Sequence, residues 1–210
     1  MATITKIETQ KKNKDRYSIF LDGDFAFGVH VDVLVTHGLR KGMTLEKDEL
    51  EALIHDESVK KAVLAGIKHI SYKQRTSKEV RDKLISLEHT PDQVEEAIDK
   101  LIEMAFLDDE RYAEEFVDTR QQRYGRKRIF LELKKRGIPE HIAQRALDEM
   151  LDVDAGYETA LNMARKKYAQ CSDIDPRKAA TRIQGQLLRK GYSYDVVNRI
   201  IKELGVFDRS

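Results

Sequence analysis

Apolar residues recur along most of the chain with the three- to four-residue spacing of amphipathic helices, and one long pattern of this kind occurs three times. Leu84, Leu133 and Leu187 occupy equivalent anchor positions roughly 50 residues apart. An aliphatic residue lies four positions before each anchor, and apolar residues lie ten, fourteen and seventeen positions after it. Matching buried positions with different surface residues are typical of repeat proteins. We therefore predict a mainly α fold of three tandem three-helix repeats, resembling helix-turn-helix units, in an elongated array.

Helix start and stop signals place the repeats at residues 61–107, 108–153 and 154–210. Thr76-Ser-Lys-Glu79 and Thr90-Pro-Asp-Gln93 are capping-box sequences, which mark helix N-termini. Gly137 and Gly191 follow basic residues at the ends of the middle helices, where glycine can adopt a left-handed conformation. Glu88 stands at the same position of the first repeat.

Residues 1–60 have a different pattern, which predicts a small β-meander followed by short helices. Alternating apolar residues flank Asp22-Gly23, a pair that favours a tight hairpin. Thr44 is expected to cap the next helix. The apolar face expected for that helix is Leu45, Leu50, Leu53 and Ile54.

Composition indicates a helical protein of the cytoplasm. Charged residues make up 36% of the chain and aromatic residues 7%, while the net charge of +1 gives no argument for a polyanionic partner. Cys171, the single cysteine, excludes an internal disulfide and is expected in a polar loop. Because no apolar run approaches the roughly 18 residues of a membrane span, we expect no membrane association. We also expect a monomer, because the repeats can bury one another's apolar faces.

Candidate catalytic chemistry is sparse. The chain has neither a phosphate-binding loop nor a dinucleotide fingerprint, and its six histidines lack the spacing of metal ligands. Asp108-Asp109 is the one tempting carboxylate pair, but acidic residues at a helix N-terminus are explained by the helix dipole. We therefore expect no enzymatic activity, no cofactor and no metal site.

Clustered cations are the better functional lead, because stacked repeats could align them as a positive stripe that meets a polyanion or an acidic protein surface. The stripe could also consist of ordinary solvated side chains, and Tyr72 or Tyr124 could either stack on bases or pack at a helix boundary. The candidate residues are Lys73, Arg75, Arg81, Arg120, Arg123, Arg126, Lys127, Arg128, Lys134, Lys135, Arg136, Lys166, Lys167, Arg177, Lys178 and Arg182.

Two motifs in the second repeat carry a family resemblance. Phe106-Leu-Asp-Asp-Glu-Arg-Tyr-Ala113 and the Gly125-x-x-Arg-Ile129-x-x-Glu-Leu133-x-x-Arg-Gly-Ile138 segment resemble the signature of the bacterial RecX regulatory family. Arg75-Thr-Ser77-x-x-Val80-x-x-Lys-Leu84 is similar to the first-repeat motif of that family. The resemblance covers about 61–205, while 1–60 resembles an extension found in some members.

The resemblance implies a non-enzymatic protein that binds the RecA recombinase as its filament on single-stranded DNA. Such a protein would lie in the filament groove, inhibit the RecA ATPase and strand exchange, and so modulate recombination and DNA repair. The basic residues would then face DNA or acidic RecA surface, and weak direct DNA binding is a further expectation.

A DNA-binding regulator is the alternative hypothesis, since each repeat has the outline of a helix-turn-helix unit. Of the third helices, only the last offers a usable pair for base edges, Asn198-Arg199.

Overall fold

The structure is a computed structural model and describes residues 1–171 and 173–207. Over these residues it has ten α-helices and a small antiparallel sheet near the N-terminus, which confirms the mainly α fold predicted from the sequence. The chain divides into two compact units. The first comprises Met1–Arg75 and Val80–Leu107, and the second comprises Thr76–Glu79 with the chain from Asp108 onward.

The sheet of the first unit is the predicted meander with a short fourth strand. β1 (Ala2–Gln10), β2 (Asn13–Leu21) and β3 (Asp24–His30) pair antiparallel in sequence order. β4 (Thr44–Leu45) adds to the free side of β1, so that the strand order is β3-β2-β1-β4. Helix α1 (Val31–Thr36) follows β3. The sheet residues Ile4, Ile19 and Val29 form a core with Val33, Leu39, Leu45 and Leu53.

Two expectations for the segment after the sheet are wrong. Thr44 lies in β4, and the N-cap of helix α2 (Lys47–Ser71) is Glu46, whose backbone N–H donates to Glu49 at 2.8 Å. Helix α2 is also a single helix of 25 residues, whereas we expected one helix to end and another to begin near Lys61. No proline interrupts this span, so the helical hydrogen bonds continue through it.

The second half of α2 forms a three-helix group with α3 (Ser77–Ile85) and α4 (Pro91–Glu103). Both predicted capping boxes are present: Thr76 with Glu79, and Thr90 with Gln93. The anchor Leu84 is fully buried in this core. The other buried members are Val59, Ala62, Val63, Val80, Val94, Ala97, Ile98, Leu101 and Leu107.

The second unit contains two further three-helix groups. The helices are α5 (Asp109–Gln121), α6 (Arg126–Lys135), α7 (Glu140–Met150), α8 (Val153–Ala169), α9 (Pro176–Lys190) and α10 (Tyr194–Glu203). Their anchors, Leu133 and Leu187, are fully buried in separate cores. Cys171 lies in the loop between α8 and α9, as expected, but its side chain is buried in the core around Leu187 rather than in polar surroundings. The proposed domain limits at 60/61, 107/108 and 153/154 stay a prediction.

None of the helices in the described residues is both long and apolar enough to cross a membrane.

Candidate interaction surface of the second unit

The turn before the last helix of each group is a contact point within the second unit. Gly137, between α6 and α7, has a φ of +84°, and Gly191, between α9 and α10, has a φ of +92°. A Cβ atom at Gly137 would lie 2.2 Å from the Lys78 side chain, and one at Gly191 would lie 2.4 Å from Arg128. Both turns therefore approach the first turn of another repeat's middle helix too closely for any side chain.

Hydrogen bonds hold both contacts. The Thr76 hydroxyl donates to the Arg136 carbonyl at 2.8 Å. At the second contact the Gly125 N–H donates to the Lys190 carbonyl at 2.9 Å, and the Lys127 N–H donates to the Gly191 carbonyl at 3.2 Å. Repeats of this kind derive stability from such neighbour contacts as well as from their own cores.

Glu88, at the equivalent position of the first repeat, also has a positive φ, of +64°. Its side chain is exposed. The φ angle is thus positive at this position in all three copies. The first copy has an exposed side chain there, whereas at Gly137 and Gly191 a side chain would clash with Lys78 or Arg128.

An apolar cavity of about 480 Å³ lies beside the Gly125–Gly191 contact. Tyr124, Phe130, Leu151, Tyr157 and Val196 contribute its apolar lining. Arg126 and Lys127 add positive charge to the same wall. This cavity could not be predicted from the sequence, because its lining comes from both three-helix groups.

Several of the predicted basic residues are held by carboxylates. Arg126 Nη2 lies 2.5 Å from Asp148 Oδ1, and Arg136 Nη1 lies 3.0 Å from Glu79 Oε1. The remaining pairs are Arg128 with Glu132, Lys134 with Glu140 and, in the first unit, Arg81 with Glu95. These cations have part of their charge neutralised locally, which lowers their value for binding an external anion.

Other predicted cations form no ion pair among the described residues. Within the second unit these are Arg123, Lys127, Lys135, Lys166, Arg177, Lys178 and Arg182, and all seven are exposed. Lys73 of the first unit is likewise exposed without an ion pair. Lys167 contacts the Gln170 amide at 3.4 Å. Arg75 is half-buried and is not counted among these unpaired residues. Among the predicted cations, those without an ion pair therefore lie mainly in the second unit.

Aromatic rings hold some cations by cation–π contacts. Arg120 and Arg136 each lie 5.2 Å from the centre of the Phe116 ring. Tyr124 has Lys190 at 4.7 Å and Arg128 at 5.8 Å from its ring centre. Tyr124 is therefore already engaged, whereas Tyr72 is 77% exposed.

The two candidate catalytic carboxylates have structural partners. Asp108 accepts from the Arg111 N–H at 2.9 Å and caps α5. Asp109 accepts from the Ser77 N–H, also at 2.9 Å. Asp108 thus caps its own helix, as expected from the sequence, while Asp109 satisfies the N-terminus of α3, which the sequence did not predict.

The alternative hypothesis requires Asn198 and Arg199 of the last helix to be free to contact bases, and within the described part of the chain only Asn198 is without a ring contact. Asn198 and Arg199 are both exposed on α10. The Arg199 guanidinium, however, lies 4.3 Å from the centre of the Tyr157 ring. A base contact by Arg199 would have to break this cation–π contact first.

Comparison with protein families matches the chain to one family throughout. The family model described as Regulatory protein RecX N-terminal domain matches residues 2–46. Models of the first, second and third three-helix domains of RecX match residues 62–101, 108–147 and 154–201.

Curated relatives and solved structures agree with these matches. Regulatory protein RecX of Clostridium botulinum (strain Eklund 17B / Type B) is 34% identical, over 97% of this chain and 96% of the relative. Regulatory protein RecX of Bacillus subtilis (strain 168) is also 34% identical, over 97% of this chain and 78% of the relative. A crystal structure of regulatory protein RecX superposes with a TM-score of 0.84 and 31% identity, covering 95% of this chain and 98% of that one. A crystal structure of RecX from Lactobacillus salivarius superposes with a TM-score of 0.66 and 37% identity, covering 71% of this chain and 97% of that one.

Proposed function

The chain belongs to the RecX family of regulatory proteins, and on this premise we propose that it binds the RecA recombinase filament on single-stranded DNA. Bound there, it inhibits the ATPase and strand-exchange activities of RecA and so modulates recombination and DNA repair. It acts as a non-enzymatic regulator and works as a monomer.

The observation that carries the proposal is the set of unpaired, exposed cations in the second unit. A filament on DNA presents phosphates and acidic protein side chains, and both attract cations that have no partner of their own. Lys127 and Lys135 stand at opposite ends of α6, and Arg123 lies just before it. Arg177, Lys178 and Arg182 belong to α9, the middle helix of the next group.

The presence of cations on two middle helices should make their contacts with a filament cooperative. Two middle helices in one unit carry unpaired cations, so binding through one of them raises the effective concentration of the other at the filament. A helical filament repeats its own surface, which allows both helices to find equivalent sites. Weak individual charge contacts can thereby give tight binding overall.

Co-sedimentation with RecA filaments tests the proposal. The chain should pellet with RecA on single-stranded DNA far more strongly than with RecA alone or DNA alone. The triple variant Arg123→Gln, Lys127→Gln, Lys135→Gln should bind filaments at least tenfold more weakly, since three charge contacts worth roughly 0.5–1 kcal/mol each are lost.

A matched control removes the same charge elsewhere. Lys11, Lys12 and Lys14 are exposed near the β1–β2 turn of the first unit, and their joint replacement by Gln should leave binding unchanged. Equal losses in both triple variants would show a general charge effect and count against the assigned surface. Binding to bare DNA as tight as binding to filaments would favour the DNA-binding regulator instead.

A further inference from the structure

One histidine and two carboxylates lie close together in the first unit, away from the cations discussed above. His55 and Asp56 are consecutive residues of α2, and Glu96 lies on α4. One imidazole nitrogen and one oxygen from each carboxylate all lie within 4.8 Å of one another. His55 Nε2 and Glu96 Oε2 lie 2.9 Å apart.

We propose that His55, Asp56 and Glu96 form a binding site for a divalent transition-metal ion such as Zn²⁺. An imidazole with two carboxylates is a ligand set that suits Zn²⁺, and three protein ligands leave a fourth position for water. Zinc bonds of about 2.0–2.2 Å in tetrahedral geometry place ligand atoms roughly 3.3–3.6 Å apart. His55 Nε2 and Glu96 Oε2 are slightly closer than this, and no two ligand atoms of the group are more than 4.8 Å apart, so small side-chain rotations are enough.

The scaffold below the group is rigid. Val59, Ala62 and Val63 of α2 and Ala97 and Leu101 of α4 belong to one buried core. The two helices that supply the ligands are therefore fixed relative to each other before any ion arrives. A prearranged site of this kind gives up little conformational entropy on binding.

Two neighbouring side chains orient the ligand carboxylates. His37 Nε2 lies 2.7 Å from Asp56 Oδ2. Lys100 Nζ donates to Glu96 Oε1 at 2.8 Å, which leaves Oε2 directed at His55. Hydrogen-bonded partners behind metal ligands are a regular feature of metal sites. The Lys100 ammonium also opposes a bound cation by charge repulsion, which moderates the affinity.

Access is open on the side of Asp56. A cavity of about 270 Å³ is lined by Asp56, Lys60, Lys100 and Glu103, together with Asp32 and neighbouring residues. All three proposed ligands are half-buried rather than sealed. An ion can therefore enter and leave without local unfolding.

This group could not be predicted from the spacing of residues in the sequence. His55 and Glu96 are 41 residues apart, and only the packing of α2 against α4 brings them together. The proposal is independent of the RecA hypothesis, because it concerns a different unit and a different ligand.

Titration of the metal-free full-length protein with ZnCl₂, followed by calorimetry and thermal unfolding, tests the site. We expect one bound ion per chain and a higher Tm with Zn²⁺. Replacement of Zn²⁺ by Co²⁺ should give the strong visible absorption of tetrahedral cobalt. Mg²⁺, which prefers six oxygen ligands, should bind far more weakly.

Variants locate the ion. His55→Gln and Glu96→Gln should each weaken Zn²⁺ binding more than tenfold, and His37→Asn should weaken it by about tenfold through the loss of a supporting hydrogen bond. Lys100→Met should strengthen it. Glu95→Gln and His141→Asn, which change an adjacent carboxylate and an exposed histidine, should leave it unchanged.

Two results would overturn the proposal. The first is the absence of both a Tm shift and a cobalt spectrum in the wild-type protein. The second is undiminished Zn²⁺ binding by His55→Gln and Glu96→Gln. Circular dichroism in EDTA separates lost binding from lost folding, and the wild-type cobalt spectrum decides the question even if a variant fails to fold.

Discussion

Tyr192 places a phenol hydroxyl in the core of the third repeat. The side chain is 7% exposed, and its hydroxyl has no hydrogen-bond partner among the described residues. Burial in these surroundings raises the pKa of Tyr192, because the charged phenolate would lose its hydration. The hydroxyl is a cost in the folded state, while the ring supplies apolar packing.

Tyr192→Phe should therefore leave the free energy of unfolding unchanged or raise it by up to about 1 kcal/mol. Tyr157→Phe is the comparison, since the Tyr157 hydroxyl donates to Glu203 at 2.6 Å, and its removal should lower stability slightly. Urea denaturation measures both. A clear loss of stability in Tyr192→Phe would mean that the hydroxyl has a bound partner, such as an ordered water.

Gly191 is required both for its backbone conformation and for close approach. Gly191→Ala should destabilise the protein by more than the roughly 1–2 kcal/mol that a left-handed residue costs, because the new methyl group would also meet Arg128. Gly38→Ala is the matched control: Gly38 has a φ of +57° with open space around it. Equal losses in thermal stability for the two variants would show that the contact with Arg128 has no energetic weight.

At the scale of elements, a buried carboxylate joins α2 to the sheet. Glu57 is 4% exposed and accepts from Arg16 Nη2 at 2.6 Å and from the His30 backbone N–H at 2.7 Å. Lys61 lies at 3.5 Å from the same side chain. Strands β2 and β3 are thereby tied to the middle of α2.

Glu57→Ala should lower the free energy of unfolding by about 3–5 kcal/mol, since it strands a partly buried arginine and a backbone donor. Glu51→Ala removes an exposed carboxylate of the same helix, which pairs with Lys47 at 3.7 Å, and should cost less than about 0.5 kcal/mol. Chemical denaturation of both proteins gives the comparison. Similar small losses would contradict a structural role for Glu57.

An ion pair between α3 and α4 predicts a modest dependence of stability on pH. The hydrogen bond from Arg81 lowers the pKa of Glu95 below its ordinary value. The pair therefore stabilises the folded state above the pKa that Glu95 has in the unfolded chain, and this contribution is lost as the pH falls through the lower, folded pKa.

Arg81→Gln should therefore lower the Tm slightly at pH 7 and lose that effect in acid, when both proteins have Glu95 protonated. Glu95 is half exposed, so the difference at pH 7 should stay within about 1 kcal/mol. Thermal unfolding of both proteins from pH 7 to pH 3 measures it. A gap that widens in acid would contradict this assignment.

Local signals predicted the helix boundaries well where their chemistry is specific. The caps at Thr76, Thr90 and Asp108 are present, because a side-chain oxygen satisfies free N–H groups where a helix begins. The prediction that Thr44 caps a helix was wrong because Thr44 pairs with β1 as part of a strand. Glu46 was missed because glutamate becomes an effective cap only together with Glu49.

The sequence predicted which segments of the candidate surface are basic, but not which of their cations are free of ion pairs. Charge clustering identified the basic segments, yet the acids that neutralise some of them are distant in sequence. Glu79, for example, lies 57 residues before Arg136. Which cations remain unpaired depends on tertiary packing, and so does the convergence of His55 and Glu96.

At the scale of the whole molecule, four small cores stand in place of one large one. Each core is built from a single segment of the chain, and the turn contacts at Gly137 and Gly191 add neighbour interactions within the second unit. The middle helices α6 and α9 both carry unpaired cations on such modules. A modular protein of this kind suits a partner whose own surface repeats.

Inhibition of single-stranded-DNA-dependent ATP hydrolysis by RecA of the same organism is the most direct test of this account. The proposed binding predicts strong inhibition at amounts well below those of RecA, since one molecule that blocks a filament would affect all the RecA subunits in it. The Arg123→Gln, Lys127→Gln, Lys135→Gln variant should need at least about tenfold more protein, as argued from its lost charge contacts, and the Lys11, Lys12, Lys14 control should match the wild type. Unchanged ATP hydrolysis, with filaments intact by light scattering, would contradict the regulatory function proposed for this chain.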